Sequence, residues 1–120
     1  MRKGEYRLIF EGKPFSVNQT YRRGKGKKMY MDQRAKAYGD SIGWQAKAQW
    51  GRRRKLEGNL EIYFNYYFHR RGIDHLNCNK IIADRLQEIV YKNDSQITIS
   101  HHYTHYDYSN PRIELTIKEL

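Results

Sequence analysis

In Leu60-Glu61-Ile62-Tyr63-Phe64-Asn65-Tyr66-Tyr67-Phe68, apolar and aromatic residues fill positions 60, 62, 64, 66 and 68. A strand sends successive side chains to opposite faces, so this period of two turns one apolar face toward a core. The other face, Glu61, Tyr63, Asn65, Tyr67 and then His69, reads as polar or only partly covered. It is the most regular strand signal in the chain.

On the N-terminal side, Tyr6, Leu8 and Phe10 alternate with polar residues and predict a first strand ending at Gly12-Lys13-Pro14. The polar, Gly-rich stretch from Ser16 to Lys28 reads as a loop or hairpin arm. Asp32 is an N-cap candidate for a helix running to about Trp50, because Ala35, Tyr38, Ile42 and Ala46 recur at helical spacing. On the C-terminal side, Ile82, Leu86 and Ile89 predict a second helix over about His75 to Val90. After a turn at Asn93-Asp94, alternation resumes at Ile97, Ile99, His101, Tyr103 and His105, and again at Ile113, Leu115 and Ile117 beyond Asn110-Pro111. Strands in this order with two main helices predict an α+β (mixed α/β) fold around one mostly antiparallel or mixed sheet. At 120 residues the chain is expected to form one domain over residues 1–120.

Lys and Arg number 23 against 13 Asp and Glu, a formal charge of +10 that favours a polyanionic partner, nucleic acid first. A membrane surface is the weaker reading, since no basic helix with a bulky apolar face is evident. No apolar run approaches the ~20 residues of a membrane span, and Met1-Arg2-Lys3-Gly4-Glu5 lacks a signal-peptide core. The expectation is a cytoplasmic protein, and the single cysteine, Cys78, agrees with a reducing compartment.

The chemistry-bearing stretch is Arg70-Arg71-Gly72-Ile73-Asp74-His75-Leu76-Asn77-Cys78-Asn79-Lys80, followed by Asp94 in Lys92-Asn93-Asp94-Ser95-Gln96. Carboxylates and a lysine in a basic chain suit metal-assisted phosphodiester cleavage. That reaction needs hard oxygen ligands, a cation near the phosphoryl charge and a positive surface to hold the substrate. Taken singly, each residue has an ordinary explanation. Asp74 ahead of a helix is more often an N-cap, Asn-Asp-Ser is turn composition, and Lys80 with Asp84 is a common i, i+4 surface pair.

Three segments together resemble the RusA-type Holliday junction resolvases, small endodeoxyribonucleases of phages and prophages. Pro14-Phe15-Ser16-Val17-Asn18-Gln19-Thr20-Tyr21-Arg22 is similar to the family's Pro-x-Ser-x-Asn-x-x-Tyr segment. The central segment resembles its Arg-rich lead into Asp-x-Asp-Asn-Leu, with the following lysine and Asp-x-Leu matched by Lys80, Asp84 and Leu86. Asn93-Asp94-Ser95-Gln96-Ile97 is similar to its Asp-Asp-Ser-Gln-Val. The resemblance implies a single RusA-like nuclease domain, a homodimer on a four-way DNA junction, and paired symmetric nicks with Mg²⁺, Mn²⁺ being an alternative.

Carried over by residue, the resemblance implies catalytic roles for Asp74, Asp94 and Lys80, with metal held by Asp74, Asp94 and, as a further candidate, Asn77. One carboxylate of the family's set is missing. Matching the local Asp-His-Leu makes Asp74 the second aspartate with Gly72 in place of the first. Counting back from Lys80 without a gap makes Asp74 the first, with Leu76 in place of the second.

Candidate DNA contacts are Asn18, Tyr21, Arg22, Arg23, Lys25, Lys27 and Lys28, then Arg52, Arg53, Arg54 and Lys55, then His69, Arg70 and Arg71. Two of the clusters lie beside Tyr21, Tyr30 and Trp50, which suits phosphate contacts combined with base stacking. His101, His102 and His105 read as strand positions, because the middle one points away from the other two. The alternative to an enzyme is a branched-DNA-binding protein derived from a nuclease and non-catalytic or weakly catalytic.

Overall fold

The computed structural model describes residues 4–14, 21–23, 29–31, 33–71 and 79–120, with 21–23 and 29–31 described by backbone alone. In chain order the elements are β1 (Glu5–Glu11), β2 (Tyr21–Arg23), β3 (Met29–Met31), α1 (Gln33–Trp50), β4 (Leu60–Phe68), α2 (Asn79–Leu86), a 3₁₀ turn (Asp94–Gln96), β5 (Ile97–Tyr106) and β6 (Arg112–Glu119). The main sheet has the order β1-β6-β4-β5, and β2 and β3 form a separate antiparallel hairpin. This is the expected α+β domain with a mixed sheet.

β4 is a central strand because its alternate residues are apolar enough to be sealed: Ile62, Phe64, Tyr66 and Phe68 are buried. It pairs antiparallel with β6 and parallel with β5. A parallel pair needs a crossover rather than a hairpin, and the crossover here contains α2. Leu8 and Phe10 of β1 and Ile113, Leu115 and Ile117 of β6 complete the buried face, against which Ile42, Ala46 and Trp50 of α1 and Ile82 and Leu86 of α2 pack. Burying one aliphatic side chain of this kind contributes roughly 1.5–3 kcal/mol.

Helix α1 buries Ala35, Gly39, Ile42, Ala46 and Trp50, the i+3/i+4 stripe of an amphipathic helix. Gly39 lets α2 approach: a Cβ there would stand 2.8 Å from Arg85 Nε, and the Arg85 guanidinium instead reaches Asp40 at 2.9 Å. Gly51 ends α1 at φ 65°, with its N–H donating to the Lys47 carbonyl at 3.0 Å.

Helix α2 stops at Leu86, short of the predicted Val90. Glu88 takes a positive φ of 69°, and its N–H donates to the Tyr91 carbonyl while Val90 N–H donates back to Leu86. Ile89 therefore reaches the core from a turn, where its spacing from Leu86 imitates a helical step. The predicted Asp32 N-cap and the helix start at His75 fall outside the described residues.

The two edges of the sheet are finished differently. Along β1, Gln49 of α1 accepts from Ile9 N–H at 2.8 Å and donates to Ile9 C=O at 2.7 Å, and Gln45 accepts from Glu11 N–H at 2.8 Å. Two glutamines one helical turn apart thus occupy the hydrogen-bonding positions that another strand would take. At the other edge lies β5.

Candidate active site

Helix α2 presents Lys80 and Asp84 one turn apart, and the chain between α2 and β5 returns Asp94 to the same corner. The return is rigid because Gln87 and Gln96 tie it down. Gln87 Oε1 accepts from Asp94 N–H at 3.0 Å, and Gln96 Oε1 accepts from Lys92 and Asn93 N–H, each at 3.0 Å. Gln96 Nε2 donates to the carbonyls of Leu56 at 3.0 Å and Gly58 at 2.9 Å, anchoring the turn to the strand leading into β4. Asn93 caps the 3₁₀ turn by accepting from Ser95 N–H at 2.8 Å.

The outcome is a pair of like-charged groups. The Asp84 carboxyl is held above the usual carboxylate range, first by desolvation, then by the charge of Asp94 and a hydrogen bond shared with it; Lys80 and Arg85 oppose the shift. Beneath the pair, Tyr91 is buried and donates its hydroxyl to the Ala83 carbonyl at 2.7 Å. Burial, then the charges of Asp94 and Asp84, push that hydroxyl up, so it stays protonated.

Two carboxyls pressed together beside a lysine suit a hard divalent cation, which relieves their repulsion. Among the described residues no group of three or more His, Cys, Asp or Glu side chains converges. Asp74 and Asn77, the other expected ligands, lie outside the described residues, as do Asn18, Lys25, Lys27 and Lys28. Tyr21, Arg22 and Arg23 lie on β2. Asp84 was legible in the sequence as the residue one helical turn beyond Lys80, but that spacing alone reads as an ion pair.

Arg52, Arg53, Arg54 and Lys55 are exposed beyond the end of α1. Arg53, Arg54 and Lys55, with Lys92, border a cleft of about 930 Å³ that Tyr6 and Trp50 also line. Arg53 covers both rings, 5.7 Å from Tyr6 and 5.3 Å from Trp50, and Lys55 pairs with Glu88 at 2.6 Å. Trp50 is not the stacking surface expected beside this cluster, because it is 3% exposed and belongs to the core. The accessible indole is Trp44, 74% exposed on α1, with Lys47 5.8 Å from its ring centre and Arg85 across a neighbouring cleft.

Arg70 and Arg71 are exposed, and Arg71 lies 4.9 Å over the Tyr106 ring. His69 is pulled below the usual histidine range by burial, then by Lys13 and Arg70, so it is uncharged at neutral pH. On β5 the histidines divide as the strand period requires. His101 and His105 stack on Tyr63 and Tyr67 at 4.3 and 4.5 Å, whereas His102 stacks on Phe64 at 4.8 Å.

A family model described as Endodeoxyribonuclease RusA matches residues 11–118. No curated protein matches the chain. No helix among the described residues is long and apolar enough to cross a membrane.

Proposed function

Because the chain belongs to the RusA endodeoxyribonuclease family, a family of Holliday junction resolvases, we propose that it works as a homodimer whose Mg²⁺-dependent cleavage nicks two opposing strands of a four-way junction symmetrically. The observation that carries the reading is the carboxyl pair of Asp84 and Asp94 beside Lys80.

Asp84 and Asp94 would hold the cation, with Asp74 as a third carboxylate and Asn77 as a neutral oxygen donor. A divalent ion held there, Mg²⁺ or in its place Mn²⁺, would supply Lewis-acid polarisation of the scissile phosphate and a nucleophilic water. Lys80 neutralises the charge that builds on the phosphoryl oxygens as the water oxygen bonds to phosphorus and one P–O bond to a sugar breaks. Tyr91 stays neutral beneath the pair and fixes its floor through Ala83. Gln87 and Gln96 keep Asp94 in place as the cation comes and goes.

The basic groups bind substrate. Arg52, Arg53 and Arg54 with Arg70 and Arg71 take phosphates, and Trp44 with Lys47 offers a ring and a charge for an unpaired base at the junction. The non-catalytic alternative is motivated by the carboxylate missing at Gly72 or Leu76. The test is a labelled four-way junction incubated with Mg²⁺ or Mn²⁺ beside a linear duplex. Paired nicks confined to the junction support the reading, and tight binding without nicks in either metal overturns it.

A further inference from the structure

Arg53 is exposed, yet its guanidinium is held in place. It lies 5.3 Å from the Trp50 ring centre and 5.7 Å from that of Tyr6, two rings 5.0 Å apart, and its Nη1 donates to the Gln49 carbonyl at 3.4 Å. One face of the planar cation rests on aromatic rings, which leaves its other face for a ligand in the cleft of about 930 Å³. Trp50 lines the same cleft, and its buried Nε1–H has no acceptor among the described residues. A buried donor without a partner is a cost to the fold that an acceptor brought into the cleft relieves. Lys55 is matched by Glu88 at 2.6 Å and Lys92 by Glu57 at 3.7 Å, whereas no carboxylate among the described residues pairs with Arg53 or Arg54. Glu57 and Glu119, the latter accepting from the Tyr6 hydroxyl at 3.1 Å, set two acceptors in the same lining.

We propose that this cleft binds one unpaired nucleotide, its base stacked on the outer face of Arg53 and facing the carboxylates with its N–H groups, its phosphate on Arg54. The proposal rests on the DNA-binding reading above and needs nothing from the metal corner. The mixed lining selects the ligand. A bare polyphosphate is repelled by both carboxylates, and an apolar ligand would bury the unmatched arginine charges. A nucleotide brings an anion, a flat π-face and N–H donors together, and proteins hold unpaired nucleotides by stacking bases on rings or arginine planes beside phosphate contacts. Trp50 stays in the core here and supports Arg53 from beneath. The cleft also lies against the turn that carries Asp94: Lys92 lines it, and the Leu56 carbonyl, in its wall, accepts from Gln96 Nε2 at 3.0 Å. A strand engaged at the metal corner therefore has this cleft beside it.

Tryptophan fluorescence without metal tests this in a Trp44→Ala background, which removes the other exposed ring and leaves Trp50 as the chain's one tryptophan. The probes are a deoxyadenosine pentanucleotide, its abasic counterpart, dAMP and inorganic pyrophosphate. The pentanucleotide is expected to quench Trp50 emission saturably, and the abasic strand to bind roughly 5- to 150-fold more weakly, the worth of one base stack. Arg53→Lys keeps the charge but not the plane, so it should weaken the pentanucleotide by a similar factor and leave the abasic strand unaffected. Quenching by dAMP as well assigns the cleft to free nucleoside phosphates, and quenching by the pentanucleotide alone assigns it to a nucleotide within a strand; either result supports the proposal. Equal affinity for the normal and abasic strands, wild-type affinity in Arg53→Lys, or pyrophosphate binding as tightly as the pentanucleotide overturns it. Junction nicking with Mg²⁺ is measured on the same variants, so pentanucleotide binding without nicking marks failure of the nuclease reading alone.

Discussion

The carboxyl groups of Asp84 and Asp94 meet across the corner between α2 and β5, close enough to share a hydrogen bond. Repulsion within such a pair is a cost to the folded chain that a bound cation converts into an attraction. Asp84→Asn is therefore expected to leave the metal-free protein as stable as wild type or slightly more so. Junction cleavage should fall by at least the ~10–100-fold lost when an outer partner of a metal ligand is removed. Thermal melts with and without Mg²⁺, beside single-turnover nicking rates, check both halves.

The same pair sets a pH dependence. A carboxyl whose folded pKa lies above its unfolded one destabilises the metal-free fold as pH rises between the two values. Melting temperature without metal should decline over that interval and flatten in Asp84→Asn. A proton on Asp84 competes with the cation, so affinity for Mn²⁺ measured by titration should weaken as pH falls toward the raised Asp84 value.

Glu61 predicts the opposite sign. It is held below the usual carboxylate range chiefly by its hydrogen bond with His101, at 2.8 Å. Stability from this contact is present above the unfolded carboxylate value and is lost as pH falls through the depressed folded one. Glu61→Gln should flatten the acid side of the melting profile and leave the neutral region nearly unchanged.

Gln96 links four backbone groups around Asp94, two as acceptor and two as donor. Gln96→Ala leaves those groups without their partner and should cost about 1–3 kcal/mol in denaturant unfolding. The loosened turn should also lower the nicking rate more than junction affinity, a difference visible when binding and single-turnover cleavage are measured separately.

Most of the fold was legible because period and burial agree. Leu60 to Phe68 reads as a strand and is one, and Ala35, Ile42 and Ala46 mark the buried side of α1. The end of α2 was not, because Ile89 keeps a near-helical spacing from Leu86 while the positive φ of Glu88 turns the chain away. Glutamate is not a residue that announces that conformation. Trp50 and Trp44 are both Trp beside basic residues, and only the orientation of α1 on the sheet decides which is core and which is solvent-facing. Asp84 carried a weak local signal; its meaning depends on Asp94 returning through a turn that Gln87 and Gln96 hold by long-range hydrogen bonds.

Trp44 and the arginines should be separable in binding. Trp44→Ala is expected to weaken junction affinity by about 1–3 kcal/mol, the usual worth of base–aromatic stacking, with little change in salt dependence. Arg52→Ala and Arg54→Ala should each reduce the slope of log affinity against log salt by about 1. If a dimer makes some six to ten phosphate contacts, wild-type affinity should fall roughly 10³–10⁵-fold between 50 and 200 mM salt. Electrophoretic mobility shifts across that range, in the absence of metal, check all three.

The central claim is that Asp84 and Asp94 together form the cation site of a junction nuclease. Its most direct test is Mn²⁺ and Mg²⁺ titration, followed by junction nicking, for the wild type, Asp84→Asn and Asp94→Asn. The account predicts metal binding and paired nicks by the wild type, with both sharply reduced in either variant while junction binding without metal persists. Wild-type metal affinity and nicking in Asp84→Asn would contradict it.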